Sequence, residues 1–256
     1  MKLLTVARDL ARRRARERQG LFVAEGVRTV EELLRSPLRI RGALAGPRLA
    51  ESPRGRALVD ELHRRTIALQ EVTASELASA SDTDTPQGIV AIAEVPQLAL
   101  ESLPAGPRYL VLDGIQDPGN TGTILRTAAA LGVTATIALP GTVDLWNAKV
   151  VRSGMGAHFH HPALASTWEA LDTFLRDRDI VLWGAAAAGE PLDDRTGGDG
   201  KALPAPLALA VGNEGSGLST DARERARRLV ALPIAPAVES LNVAVATGIF
   251  LYQLRP

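Results

Sequence analysis

Beyond residue 107 the chain alternates short aliphatic runs with helical patterns, and this alternation limits its fold more than any other feature. Apolar runs fall at 109–112, 134–139, 180–185, 207–211 and 230–232, and helical spacing at 121–131, 147–157, 168–176, 221–228 and 243–254. Strands that are apolar throughout and interleaved with helices imply a mainly parallel sheet covered on both faces. The expected class is therefore α/β. Before it, residues 95–107 carry Pro96, Pro104, Gly106 and Pro107, the composition of a linker. The first ninety or so residues show shorter patterns: a helix expected over 3–19, a strand at 21–23, and a helix over 28–34 stopped by Pro37. The expected organisation is a small α/β domain over 1–95, a linker over 96–107 and a larger α/β domain over 108–256. No internal repeat is visible.

Composition narrows the function classes. The chain of 256 residues has no cysteine, which excludes disulfides, a thiol nucleophile and Cys-ligated zinc. No run of eighteen apolar residues marks a transmembrane helix. The basic start lacks the apolar stretch of a secretory signal, so a cytoplasmic location is expected. The formal net charge is zero, but residues 1–80 hold 16 Lys/Arg against 10 Asp/Glu. A basic front fits a polyanionic partner, and equally a solvated arginine-rich surface. Within 3–19 the arginines cover more than one face, as expected of a helix outside the core.

Three stretches carry the polar residues that chemistry needs. The first runs from Asp113 to Arg126, where an apolar strand ends and a helix begins, and includes Asp117-Pro118-Gly119-Asn120. That junction is where α/β sheets bind ligands, and Asn120 is a natural helix N-cap. Arg126 follows among Ile124, Leu125 and alanines; alone, such an arginine is more often a solvated side chain. The second is Gly212-Asn213-Glu214-Gly215-Ser216-Gly217-Leu218, again after an apolar strand. Its G-x-x-G-x-G order is neither a dinucleotide fingerprint nor a P-loop. A carboxylate within the loop repels phosphate and suits a neutral or cationic ligand. The third joins Leu232-Pro233-Ile234 to Glu239-Ser240-Leu241-Asn242 and a final helix containing Ala244, Ala246 and Gly248. Ser240 or Asn242 is placed to cap that helix, and its small residues point to close packing of a buried chain end.

Together, in this order, the three motifs resemble the SpoU/TrmH family of RNA 2′-O-ribose methyltransferases, within the SPOUT superfamily. The resemblance spans roughly residues 108–254. A weaker one lies in Arg13, residues 22–28 and residues 85–90, which look like the family's RNA substrate-binding domain. The resemblance implies a C-terminal SPOUT domain with a deep trefoil knot, an arrangement that pattern reading does not anticipate because knots are rare. It implies S-adenosylmethionine as methyl donor, with contacts at Gly212, Leu232 and Leu241 and with Leu139 and Ile234 beside them. It implies active-site roles for Asn120, Arg126, Glu214, Ser240 and Asn242. The arginine is assigned as base in family accounts; a guanidinium resists deprotonation, which makes a phosphate anchor the easier role. No metal is required for this displacement. The implied partners are RNA, with ribosomal RNA favoured over transfer RNA, and a second copy of the chain in a homodimer. No membrane partner is expected.

Two rival readings remain: an RNA-binding ribosome assembly factor without activity on the same fold, and a methyltransferase acting on a base or a protein. Some features carry no expected function. His158, His160 and His161 are read as alternating across a strand without the acid or cysteine that completes a metal site. Asp193, Asp194 and Asp199 are read as solvated in a Gly-rich loop, and residues 152–156 as helix packing near a dimer surface. Ser153 and Ser216 lack a hydrolase context.

Overall fold

The computed structural model describes residues 2–83, 85–192 and 205–254, and the chain divides into two units. One comprises Met1–Gln97 together with Trp146–His160; the other comprises Leu98–Leu145 and His161–Pro256.

The first unit contains α1 (Leu3–Asp9), α2 (Arg13–Gln19), β1 (Leu21–Glu25), α3 (Val27–Arg35), β2 (Ile40–Ala45), α4 (Pro53–Arg64), β3 (Leu69–Glu71), α5 (Ala74–Ser79) and β4 (Ile89–Glu94). The sheet order is β1-β4-β2-β3, antiparallel except where β3 joins β2. The single helix expected over 3–19 is broken at 10–12. The buried Arg16 donates to the carbonyls of Leu10 (2.8 Å) and Ala11 (3.0 Å), which a helix end leaves without partners. Nor does the segment lie outside the core. Leu4, Val6, Ala7 and Leu10 pack with Val23, Leu44, Val90 and Ile92, while Arg12 and Arg18 pair with Asp9 at the surface. The arginines obscured an apolar stripe.

Trp146–His160 was expected within the second domain, as a helix over 147–157. Its α-helix is shorter, α7 (Ala148–Ser153), and the segment packs with the first unit. The physical reason is aromatic. The Phe22 ring lies 4.5 Å from that of Trp146 and 5.9 Å from that of Phe159, and Trp146 meets His158 edge-on at 4.3 Å. Arg152 donates to the buried Glu25 at 3.3 Å and reaches Asp82 at 3.5 Å. Burial pushes the Glu25 carboxyl above its ordinary pKa, against the Asp82 N–H and Arg152, which pull it down.

The second unit holds β5 (Arg108–Asp113), α6 (Pro118–Ala130), β6 (Ala135–Ala138), β7 (Ala163–Ala165), α8 (Trp168–Asp177), β8 (Val181–Pro191), β9 (Leu207–Gly212), α9 (Thr220–Arg225), β10 (Arg228–Ala231) and α10 (Val243–Gln253). Its six described strands are all parallel, in the order β10-β8-β9-β5-β6-β7. Val111, Ile137 and Ala210 from the sheet meet Trp168, Leu171 and Phe174 of α8 in the core. The strand β8 runs well past the expected end at 185, to Pro191. Asp193, Asp194 and Asp199 lie outside the described residues. The final helix is buried on one face only: Phe250 and Leu251 face inward, while Val245 (53% exposed) and Tyr252 (57%) do not.

The histidines do not alternate across a strand. His158 is buried in a 3₁₀ turn (Ala157–Phe159), His160 is exposed, and His161 is buried in the second unit. The His161 Nε2 lies 2.7 Å from Thr136 Oγ1. Burial pushes its pKa down from 6.5 to about 4. The folded state therefore holds this imidazole neutral where the unfolded chain protonates it. The associated stability is complete above pH 6.5 and declines as pH falls toward 4, by about 3 kcal/mol in total. Urea unfolding at pH 7 and pH 4.5 is expected to show a smaller pH-dependent loss for His161→Gln than for the parent chain. An identical loss in both would remove His161 as the cause.

Candidate active site

Parallel pairing sets the site. Asp113 and Gly212, the last residues of β5 and β9, are register partners, so the turns that leave these neighbouring strands emerge side by side at one sheet edge. Hydrogen bonds tie the turns together. Asn213 Nδ2 donates to the Gly114 carbonyl at 2.9 Å, and the Ser219 N–H donates to the buried Asp113 carboxylate at 2.7 Å. Within the second turn Asn213 Oδ1 accepts from the N–H groups of Gly215 and Ser216. Gly217 closes it at φ +71°, the left-handed region that glycine enters without strain.

Glu214 is the junction. Its carboxylate accepts from the N–H of Gln116 (3.2 Å), the N–H of Asp117 (3.0 Å) and Asn120 Nδ2 (3.1 Å). Partial burial works against the charged form, but the bonds from Asn120 and the backbone outweigh it and hold the carboxyl below the usual carboxylate range. Asn120 Oδ1 in turn accepts from Asn242 Nδ2 at 3.0 Å. The chain Glu214–Asn120–Asn242 thus links residues from all three sequence motifs.

Asn120 does not cap α6. Asp117 does, accepting the Asn120 N–H at 2.7 Å with Pro118 at the first helical position. That leaves the Asn120 amide free to bridge the other two motifs. Asn242 does cap α10, accepting from the N–H groups of Ala244 (2.9 Å) and Val245 (3.3 Å). Asn242→Ala is expected to cost about 1 kcal/mol, the scale of a lost N-cap, and to release Asn120. A thermal melt unchanged from that of the parent would show that the cap carries no stability.

A pocket of about 500 Å³ opens at this edge, within the range that holds small organic ligands. Gly212, Glu214, Leu232, Ile234, Ser240, Leu241 and Asn242 all line it, so seven of the ten residues singled out from sequence converge there. Asn120 adjoins it through Glu214 and Asn242. Arg126 is exposed on α6 and makes no ion pair among the described residues. Leu139 does not line the pocket; it is 2% exposed in the core, its N–H donating to the Leu112 carbonyl. Its apolar side chain completes the sheet core instead. Sequence reasoning missed Ala185–Ala187 of β8, Phe250 of α10 and Arg223 of α9, which also line the pocket. The run of alanines at the end of an apolar strand was the available signal for the first of these.

The sequence profile of the SpoU rRNA methylase family matches residues 107–252, and that of the MRM3-like substrate-binding domain matches residues 5–91. A 23S rRNA (guanosine(2553)-2′-O)-methyltransferase, RlmP of Bacillus subtilis, is 30% identical over 97% of this chain and 94% of its own. Among solved structures, the SpoU methyltransferase AviRb of Streptomyces viridochromogenes in complex with AdoMet superposes with a TM-score of 0.85 at 27% identity, covering 99% of this chain and 96% of its own. An AdoMet-bound rRNA methyltransferase of Sinorhizobium meliloti gives 0.82 at 29% identity, over 98% and 93%. The pocket and its motifs thus have the architecture of RNA methyltransferases. The chain belongs to the SpoU rRNA methylase family.

The pocket fits S-adenosylmethionine chemically. Leu232, Leu241 and Phe250 offer apolar surface for a nucleoside, and Glu214 and Glu239 offer carboxylates for its cationic groups. Among the described residues, no helix is long and apolar enough to cross a membrane.

Proposed function

We propose that this protein transfers a methyl group from S-adenosylmethionine to a ribose 2′-hydroxyl of large-subunit ribosomal RNA in the cytoplasm. The observation that carries the proposal is the hydrogen-bonded chain Glu214–Asn120–Asn242 at the rim of a pocket with charged and apolar walls. The donor supplies a methyl carbon already activated by its sulfonium charge. The protein must therefore align the attacking oxygen and accommodate its proton. Glu214, held anionic, fixes Asn120 and places a negative charge on the pocket wall. Asn120 and Asn242 hold each other's amides in one orientation, and Ser240, exposed on the neighbouring loop, is available to the ribose. Leu232, Ile234, Leu241 and the close-packed Gly212 shape the donor pocket. Arg126 has a guanidinium free among the described residues to fork onto a phosphate beside the target ribose.

The basic first unit, with its substrate-binding-domain profile, is the RNA-docking part of this reading. RNA is gripped largely through phosphates, shape and splayed bases. The chain's motif loops are read as the trefoil knot of the SPOUT domain; an experimentally traced chain that could be drawn straight from its ends would contradict that. The exposed apolar residues Val245, Ile249 and Tyr252 on α10 are read as the seam of a homodimer. Light scattering at working concentration is expected to report twice the chain mass.

A strain lacking this protein is expected to lose one 2′-O-methyl group from its large-subunit rRNA, detected as a new site of alkaline cleavage, with its tRNA pattern unchanged. Loss from tRNA would favour transfer RNA as substrate, and an unaltered pattern in both would favour an assembly factor without methyl transfer.

A further inference from the structure

Arg223 belongs to none of the three motifs, yet its side chain lines the pocket. Its Nε donates to the Leu218 carbonyl at 3.1 Å, which fixes the guanidinium against the glycine-rich turn. Nη2 lies 3.6 Å from the position that a Cβ on Gly217 would take, so it stands beside the turn, and the residue is exposed. Of the neighbouring arginines, Arg225 pairs with Asp172 and Asp221 and Arg228 with Glu190, while Arg227 is exposed and does not line the pocket. Arg223 makes no ion pair among the described residues. It is a positioned cation without an anion among the described residues.

The charges around the pocket match one ligand. Among the described residues its ionisable lining consists of two carboxylates, Glu214 and Glu239, and one guanidinium, Arg223. A sulfonium amino acid carries the complement: two cations, sulfonium and ammonium, and one carboxylate. A stretch of RNA backbone is anionic throughout and would face two like charges for each opposite one.

We infer that Arg223 binds the α-carboxylate of the methyl donor and so selects a donor with an intact amino-acid tail. The inference rests on the donor reading above. Arg223 is a binding residue in this account, remote from the transferred methyl. Its fork can present parallel N–H groups to a carboxylate, which Lys cannot reproduce.

The test uses two neutral-sulfur ligands in calorimetric titrations of the full chain. S-adenosylhomocysteine keeps the amino-acid tail; 5′-methylthioadenosine shares the nucleoside and thioether but has none. Arg223→Gln is expected to weaken S-adenosylhomocysteine by about tenfold or more, the scale of a lost charge-assisted hydrogen bond, and to leave methylthioadenosine affinity unchanged. Arg223→Lys is expected to fall between. Equal weakening of both ligands would overturn the inference, because Arg223 would then act only through pocket shape. An unchanged S-adenosylhomocysteine affinity combined with weaker RNA retention on filters would overturn it in favour of a phosphate contact. If the parent chain binds neither ligand, the donor reading itself falls, which the variants alone would not reveal.

Discussion

Arg126→Ala is expected to reduce methyl transfer by about a hundredfold or more, the scale carried by lost alignment or proton handling, while donor binding stays intact. The separation follows from position. Arg126 does not line the donor pocket. It stands six residues beyond Asn120 on α6, about 9 Å along the axis, and is exposed. Helical side chains lean toward the N-terminal end, so its side chain leans toward the end of α6 that carries Asn120. A guanidinium there can fix an RNA phosphate without touching the donor. Arg126→Lys keeps the charge but loses the fork, and is expected to recover only part of the rate. Turnover near that of the parent in Arg126→Ala, measured with saturating donor and RNA, would remove Arg126 from the active site. A matching loss of donor affinity would show instead that the substitution disturbs the pocket.

Gly212→Ala is expected to disrupt the site, because its added methyl group meets backbone more closely than one at any other described glycine of this unit. A Cβ at Gly212 would stand 2.3 Å from both the Gly217 carbonyl carbon and the Leu218 nitrogen. Those are backbone atoms, so no rotamer change relieves the clash. Either the strand end or the turn must move, at a cost of about 1–3 kcal/mol or more. Movement of the turn also carries Asn213 and Glu214 away from the 114–117 turn they bind. The rise in melting temperature that a bound ligand produces is therefore expected with S-adenosylhomocysteine for the parent chain and to vanish for Gly212→Ala. A variant that melts normally and still gains stability from the ligand would mean that the turn tolerates the extra methyl.

Much of this site was legible because its polar residues sit at strand ends, where ligands bind and where no core demands them. Glu214, Asn242 and the loop leucines needed only a parallel sheet to bring their turns to one edge. What stayed hidden was local competition between equivalent groups. Asp117 and Asn120 are both good caps three residues apart, and only the position of Pro118 at the first turn of α6 decides for Asp117. The break at 10–12 depends on the buried Arg16 taking two carbonyls, a contact that a charge count reads as solvent exposure. The placement of Trp146–His160 depends on Phe22, more than a hundred residues away, and no periodicity reports such a partner. Leu139 was misplaced because an apolar strand end reads alike whether it meets a ligand or the core.

The central claim is that this pocket delivers a methyl group to a sugar oxygen. Purified chain incubated with methyl-tritiated S-adenosylmethionine and large-subunit rRNA from a strain lacking it tests that claim most directly. After complete digestion to nucleosides, the account predicts that the label co-elutes with a single 2′-O-methylnucleoside and is absent when Arg126 is alanine. Label recovered on a base or on protein, or no incorporation into RNA at all, would contradict it.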